Sequence, residues 1–286
     1  MERNALMGTY TQHLSATPAT TSQSAQATKR NSSSYKLKPL KWRKGNAKLR
    51  DDTIHLSIPA GWTCRPWATE CLAFAQPESG KITDGKEQKF RCYAATMEAI
   101  YPAHRDSLWD NYDTIASVIS DPIETYNTLL NSLIPEIMKY QAEHNTQPKI
   151  RIFGTSGDFF HKNLYIACLA LAQAIDPIRI YWYTKAIPLW IKYKDKITTP
   201  NLEQNASLGG RFDNLIWEHK LKYARVVYSP KEAKQLSLPI DKRDELASNA
   251  GGPFAILLHG TQPKGSVASK ALSKLRKEGI GGYSRK

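Results

Sequence analysis

KIRIFGTSGDFFHKNLYIACLALAQAIDPIRIYWYTK, residues 149–185, reads in one pass as a strand, a polar turn, a helix and a second strand. Lys149 to Thr155 and Ile178 to Thr184 are short, nearly continuous apolar or aromatic runs, the composition of parallel strands buried on both faces. Between them Lys162 to Ile175 is apolar and long enough for a crossover helix. The unit repeats outward in both directions. Further strands are expected at Ile54 to Pro59, Leu202 to Ser207, Tyr223 to Ser229 and Phe254 to His259. Helical patterns cover Tyr93 to Ile119, Pro122 to His144, Pro188 to Tyr193, Asp213 to Lys220, Pro230 to Gln235 and Ser266 to Lys277. About six strand/helix units predict an α/β fold with a parallel sheet, read here as a (β/α) partial barrel.

The net charge of +14 over 286 residues is unevenly placed. Residues 1–50 hold ten Lys/Arg against Glu2, and residues 264–286 hold seven against Glu278. The stretch between carries a net charge of −1. On charge grounds only the two ends seek polyanions, so nucleic acid is the partner expected for them. Residues 1–34 are rich in Ser, Thr, Ala and Gln and cannot bury enough apolar surface to offset ordering entropy. The domain reading is therefore a disordered basic leader, 1–50, and a single barrel-like domain, 51–286, with a basic carboxyl end. Tyr35 to Arg50 interleaves Tyr35, Leu37, Leu40 and Trp42 with basic residues, a pattern with two readings. Either its aromatics stack on bases along a phosphate backbone, or Leu and Trp pack on the body. The longest uncharged apolar run, Ile166 to Ile175, is about half of the roughly 20 residues a membrane helix needs. With no apolar block after a basic start, no secretory signal is read, and a cytoplasmic location is expected. Nothing in the sequence sets an oligomeric state.

Polar residues collect where each strand should end, and in parallel α/β folds ligands sit at that edge. The groups are Ser156-Gly157-Asp158, Thr184-Lys185, Ser207 with Gly209-Gly210-Arg211, and His259-Gly260-Thr261-Gln262. Asp158, a carboxylate beside Gly157 and before two phenylalanines, is the first candidate for a catalytic or ligand-orienting role, with Lys185 as the second. Ser156, Gly157, Ser207, Gly209, Gly210 and Arg211 are candidates for holding a co-substrate. His259, Thr261 and Gln262 are candidates for substrate contact. The acidic group Asp241, Asp244 and Glu245 alternates with Lys242 and Arg243 and reads as a solvated charged loop. The chain has no Gly-x-Ser-x-Gly elbow and no His-Glu-x-x-His, which excludes those two hydrolase readings.

Cys64, Cys71 and Cys92 fall between the first strand and the first helix, separated by six and twenty residues, while Cys168 lies in the apolar helix as a core thiol. An odd trio without a secretory signal argues against disulfides. Three thiolates on one loop hold an iron–sulfur cluster with one iron open, or zinc with a fourth ligand such as His55 or His104, or they are ordinary reduced cysteines. Their placement after the first strand, with Ser156-Gly157-Asp158 after the second, resembles radical S-adenosylmethionine enzymes. Those enzymes bind a cluster after the first strand and the methionyl amino group at a Gly-Gly-acid motif after the second. Their cysteines are usually three and two residues apart, a spacing this chain does not share.

The strings SIPAGWTC (57–64), EC (70–71), FRCYAA (90–95), SGDFF (156–160), YTKAIPLW (183–190), ASLGGRFD (206–213), ARVVYSPKEA (224–233) and LLHGTQPKGS (257–266) together resemble the phage gene product 88 family over about residues 52–283. The resemblance implies a phage origin and hence the cytoplasm of an infected bacterial host. The CYA run is also similar to that of another phage family of cluster-binding barrels. Together these imply a radical S-adenosylmethionine-like enzyme with a [4Fe–4S] cluster on Cys64, Cys71 and Cys92, S-adenosylmethionine as co-substrate, and a nucleic acid or nucleotide as substrate. The alternative is a non-catalytic nucleic-acid-binding phage protein whose cysteines are structural or bind zinc.

Overall fold

The computed structural model describes residues 38–46, 49–196 and 199–280. A seven-stranded sheet runs through them in the order β1 (Arg43–Lys44), β2 (Thr53–Leu56), β5 (Lys149–Ile152), β6 (Ile180–Thr184), β7 (Leu202–Ser207), β8 (Tyr223–Val227) and β9 (Phe254–Leu257). β1 is antiparallel to β2, and every later pairing is parallel. The six parallel strands follow one another in chain order. Right-handed crossovers then all pass over one face, as in β/α barrels, whereas a doubly wound sheet reverses direction. Among the described residues no pairing joins the two edge strands, so the sheet is open.

The strand register sorts the side chains by face. Ile54, Leu56, Ile150, Ile152, Ile180, Trp182 and Ala206 point to one side and share a single apolar core with the helices. These helices are α2 (Pro102–Val118), α3 (Pro122–His144), α4 (Lys162–Ala174), α5 (Ile187–Tyr193) and α6 (Asp213–Glu218). On β8 and β9, Val227, Ala255 and Leu257 continue this face against Ala233 of α7 (Pro230–Gln235) and Leu275 of α8 (Val267–Lys277). Cys168 is fully buried in this core, which bears out its reading as a core thiol.

The opposite face carries His55, Arg151, Tyr181, Tyr183 and Asn205, all but Tyr183 buried. The segment between α7 and β9 packs there. Asp244, itself only 2% exposed, pairs with the Arg151 guanidinium and accepts from Tyr183 Oη at 3.2 Å and Tyr181 Oη at 3.4 Å. Asp241 accepts the backbone N–H groups of Arg243, Glu245 and Ala247 at 3.2, 3.1 and 2.9 Å. The acidic loop expected to be solvated is therefore half buried: two of its three carboxylates organise it and plug the sheet.

Two boundaries differ from the sequence reading. The single helix expected over Tyr93 to Ile119 is two, α1 (Tyr93–Ile100) and α2, because Pro102 opens the second. A residue before proline is driven out of the helical region, and Tyr101 is extended at φ −116°. Residues 38–46, placed in the leader, belong to the folded unit. Leu40 and Trp42 are 7% and 8% exposed in the core, Trp42 Nε1 donates to Ser132 Oγ at 2.9 Å, and β1 extends the sheet. Of the two readings of this stretch, packing on the body is the one observed. Its cations are partly engaged: Lys38 and Lys41 reach Asp110 at 2.9 and 3.6 Å, and Arg50 reaches Asp52 at 3.5 Å. The remainder of the leader, 1–37, and the tail from 281 lie outside the described residues. The short hairpin β3 (Ala73–Ala75) and β4 (Ile82–Asp84), invisible at three residues per strand, sits between β2 and α1.

Candidate functional site

The loop leaving β2 carries Cys64 and Cys71, and the hairpin returns the chain to Cys92 at the amino end of α1. Each wall of this loop is one of the strand-end clusters. Ser156 Oγ donates to Ile58 O at 2.7 Å, and Ile58 N donates to Ser156 O at 3.3 Å. Gly157 has φ +102°, and a Cβ there would stand 2.3 Å from Ile58 Cγ1, so only glycine lets the two turns meet. Asp158 N donates to Thr63 Oγ1 at 3.2 Å, next to Cys64. On the far side Gly209 O accepts from Thr69 N and Glu70 N, both at 3.1 Å, and Arg211 N donates to Trp67 O at 2.8 Å. The Arg211 side chain is exposed.

Asp158 is 4% exposed and fully engaged. It accepts from Thr184 Oγ1 at 2.6 Å, Lys185 N at 2.8 Å and Phe159 N at 2.8 Å. Burial raises its pKa, and those hydrogen bonds pull it back. Lys185 Nζ in turn donates to Ser207 O and Oγ, both at 2.8 Å, and to Leu208 O at 2.7 Å. The two candidate catalytic residues thus join the ends of β5, β6 and β7 into one frame under the cysteine loop. Gly209 N and Gly210 N donate to the Asp213 carboxylate at 2.8 and 3.0 Å, so that pair of N–H groups is already occupied.

The last strand closes the other side. Gln262, 7% exposed, accepts from Arg91 N at 2.7 Å and donates to Arg91 O and His259 O, both at 3.1 Å. Thr96 Oγ1 donates to Thr261 O at 3.4 Å. The His259 ring lies 4.5 Å from the Tyr93 ring, and Tyr93 Oη donates to Thr155 O at 2.6 Å. The first turn of α1 therefore bridges β9 to β5, across the open side of the sheet.

Cys64, Cys71 and Cys92 are free and half-buried. Cys92 N donates to Cys71 O at 3.2 Å. Burial pushes the Cys64 thiol well above its usual range, and negative charge on Asp158, Cys92 and Cys71 pushes it further, while the Gly61 N–H opposes. Burial, then Cys71, pushes Cys92 up to about 12, against the pull of the Ala94 and Ala95 N–H groups of α1. Cys71 and Cys92 thus both act on the Cys64 thiol, and the Cys92 side chain makes no capping hydrogen bond to α1. Among the described residues no three His, Cys, Asp or Glu side chains are gathered to hold a metal ion. His55, one of the two suggested fourth zinc ligands, is buried on the sheet face. Its pKa is lowered to about 4 by burial and by Arg151, with Arg43 and His104 adding.

The sequence profile of one family, described as gene product 88, matches residues 19–278. The chain belongs to the gene product 88 family of phage proteins. The match begins well before residue 52, the start read from the motif strings, and so takes in the packed segment 38–46 as well. No curated protein and no solved structure matches the chain. No helix among the described residues is long and apolar enough to cross a membrane. The strings that carried the resemblance to the gene product 88 family meet here: SIPAGWTC on SGDFF, EC on ASLGGRFD, and FRCYAA on LLHGTQPKGS.

Two residues of this neighbourhood were not read from the sequence. Glu98 of α1 is fully buried, accepts Ala60 N at 2.8 Å through Oε1, and has no partner for Oε2. Burial raises its pKa to about 8. A lone acid in the apolar run AATMEAI was its signal. Arg151 was hidden by reading RIF as an apolar run, although KIRI alternates basic and apolar residues with period two.

Proposed function

We propose that this family member is an iron–sulfur enzyme of the radical S-adenosylmethionine-like kind, with a partial (β/α) barrel supporting a [4Fe–4S] cluster on Cys64, Cys71 and Cys92. The observation that supports the reading is the placement of three free thiols on one segment framed by the carboxyl ends of β2, β5, β7 and β9. Three thiolates leave one iron of a four-iron cluster open, which is the arrangement this reading requires. Burial favours the protonated thiols of Cys64 and Cys92, so binding a cluster there would release protons. When bound, such a cluster supplies one-electron chemistry to a co-substrate on its open iron. The chain's own part is to hold that loop: Asp158 and Lys185 fix the strand ends, Ser156 and Gly157 seat the turn after β2, and Gln262 fixes the start of α1.

Nucleic acid or a nucleotide is the proposed substrate class. Its support is charge: α8 buries Ala268, Leu272 and Leu275 and turns Lys270, Lys274, Arg276 and Lys277 to solvent.

Anaerobic purification tests the reading. About four irons per chain with broad absorption near 400 nm are expected, lost in Cys64→Ser, Cys71→Ser and Cys92→Ser alike but retained in Cys168→Ser. Iron-free protein whose four thiols all titrate as reduced cysteine overturns it.

A further inference from the structure

A groove of about 530 Å³ opens at the starts of β7 and β8, at the opposite ends of the strands from the cysteine loop. Its lining includes Trp190, Tyr193 and Lys194 from the end of α5, and Glu203, Gln204 and Lys222 from the sheet. The volume lies inside the 300–1,000 Å³ range typical of small-molecule sites. Chemistry narrows the occupant. Tyr193, half-buried, supplies flat apolar wall, and Trp190 beside it is only 8% exposed. The run WIKYKDK, residues 190–196, puts Lys194 in the lining, and the ammonium groups of Lys192 and Lys196 each lie 5.7 Å from the Tyr193 ring centroid. Lys222 Nζ donates to Asn249 O at 2.5 Å, Leu246 O at 2.8 Å and Glu203 Oε2 at 3.3 Å, and Gln204 Oε1 is occupied by Tyr165 Oη at 2.5 Å and Trp182 Nε1 at 3.2 Å. That fixes the amide and leaves its Nε2 without a protein partner among the described residues. Aromatic wall, fixed polar floor and a rim of cations suit a ligand with a planar heterocycle at one end and an anion at the other.

We propose that this groove binds one nucleotide unit, with its base against Tyr193 and its phosphate on Lys194. Basic residues interleaved with aromatics stack bases and neutralise phosphate without reading sequence. The same unit comes as a free mononucleotide or as one residue of a single strand. The inference does not depend on the cysteine centre, because none of the residues lining the groove belongs to that loop.

The test is titration of the full chain with adenosine 5′-monophosphate and, separately, a short oligodeoxyadenylate, followed by tryptophan fluorescence. Saturable quenching is expected, weakened about fivefold or more by Tyr193→Ala, which removes a stacking partner. Lys194→Met is expected to flatten the logarithmic salt dependence of oligonucleotide binding by about 0.7. Thermal unfolding midpoints verify that the variants fold. Comparable affinities per nucleotide assign the groove to a free nucleotide, and much tighter oligonucleotide binding assigns it to a strand. No quenching by either ligand overturns the proposal. So does binding that ignores Tyr193→Ala and Lys194→Met but disappears when residues 1–37 are removed.

Discussion

Replacing Asp244 by alanine tests whether the plug on the sheet's second face is held by its ion pair. Arg151 and Asp244 are 7% and 2% exposed, so neither charge is solvated in the fold. Asp244→Ala strands the guanidinium, whose Nε already lacks a partner, and removes the acceptor for Tyr181 and Tyr183. Breaking a buried pair from one side costs about 3 to 5 kcal/mol, because the remaining charge is left uncompensated. Against a typical domain stability of about 5 to 15 kcal/mol this is a large fraction. Removing both charges is different: Arg151→Met with Asp244→Leu replaces the pair by apolar volume and is expected to cost less than Asp244→Ala alone. The assay is a double-mutant cycle by urea unfolding at pH 7, with an expected coupling of about 2 to 3 kcal/mol. Additive single effects, or a loss below about 1 kcal/mol for Asp244→Ala, refute the reasoning.

Glu98 makes stability fall with rising pH. Its folded pKa, about 8, lies above the ordinary value of 4.5, so the fold holds a proton that the unfolded chain releases. The contribution is complete below about pH 4.5 and declines by up to about 1.4 kcal/mol per pH unit until about pH 8. Glu98→Gln should flatten that slope in unfolding curves measured from pH 5 to 8. Gly157→Ala places a methyl group 2.3 Å from Ile58 Cγ1 at φ +102° and is expected to lower the unfolding midpoint by several degrees; an unchanged midpoint in calorimetry would dismiss the close approach. Gln262→Ala leaves Arg91 N and O without their side-chain partner, at a cost of about 1 to 3 kcal/mol. Faster hydrogen exchange at the first turn of α1 is its local sign. Trp42→Ala should cost about 3 to 5 kcal/mol if residues 38–46 are part of the core, and near zero if they are leader.

The parallel sheet was legible because its evidence is local. Runs such as IRIYWY and FAILL declare buried strands, and a polar turn marks each carboxyl end. What escaped was set by tertiary partners. Two-residue β1 exists only because β2 offers an edge, and Asp244 is buried only because Arg151 waits on the sheet opposite, ninety-three positions away. The strand-end clusters were placed correctly at one edge, yet their individual roles were not readable. Whether Lys185 faces a ligand or the Ser207 carbonyl depends on where β7 ends, which no residue near Lys185 encodes.

The open sheet makes those partners matter. In a closed barrel the first and last strands are joined by a ladder of backbone hydrogen bonds, and the rim loops stand on a finished ring. Here that ladder is missing among the described residues, and the start of α1 instead contacts both sides: Gln262 and Thr261 hold it to the turn after β9, while Tyr93 holds it to the turn after β5. The same element carries Cys92 at its amino end. Loosening the contact at Gln262 is therefore expected to move Cys92 relative to Cys64, whose segment is fixed from the other side by Thr63, Asp158 and Ser156. The motif strings, scattered over two hundred residues, meet as one set of mutual contacts around one loop.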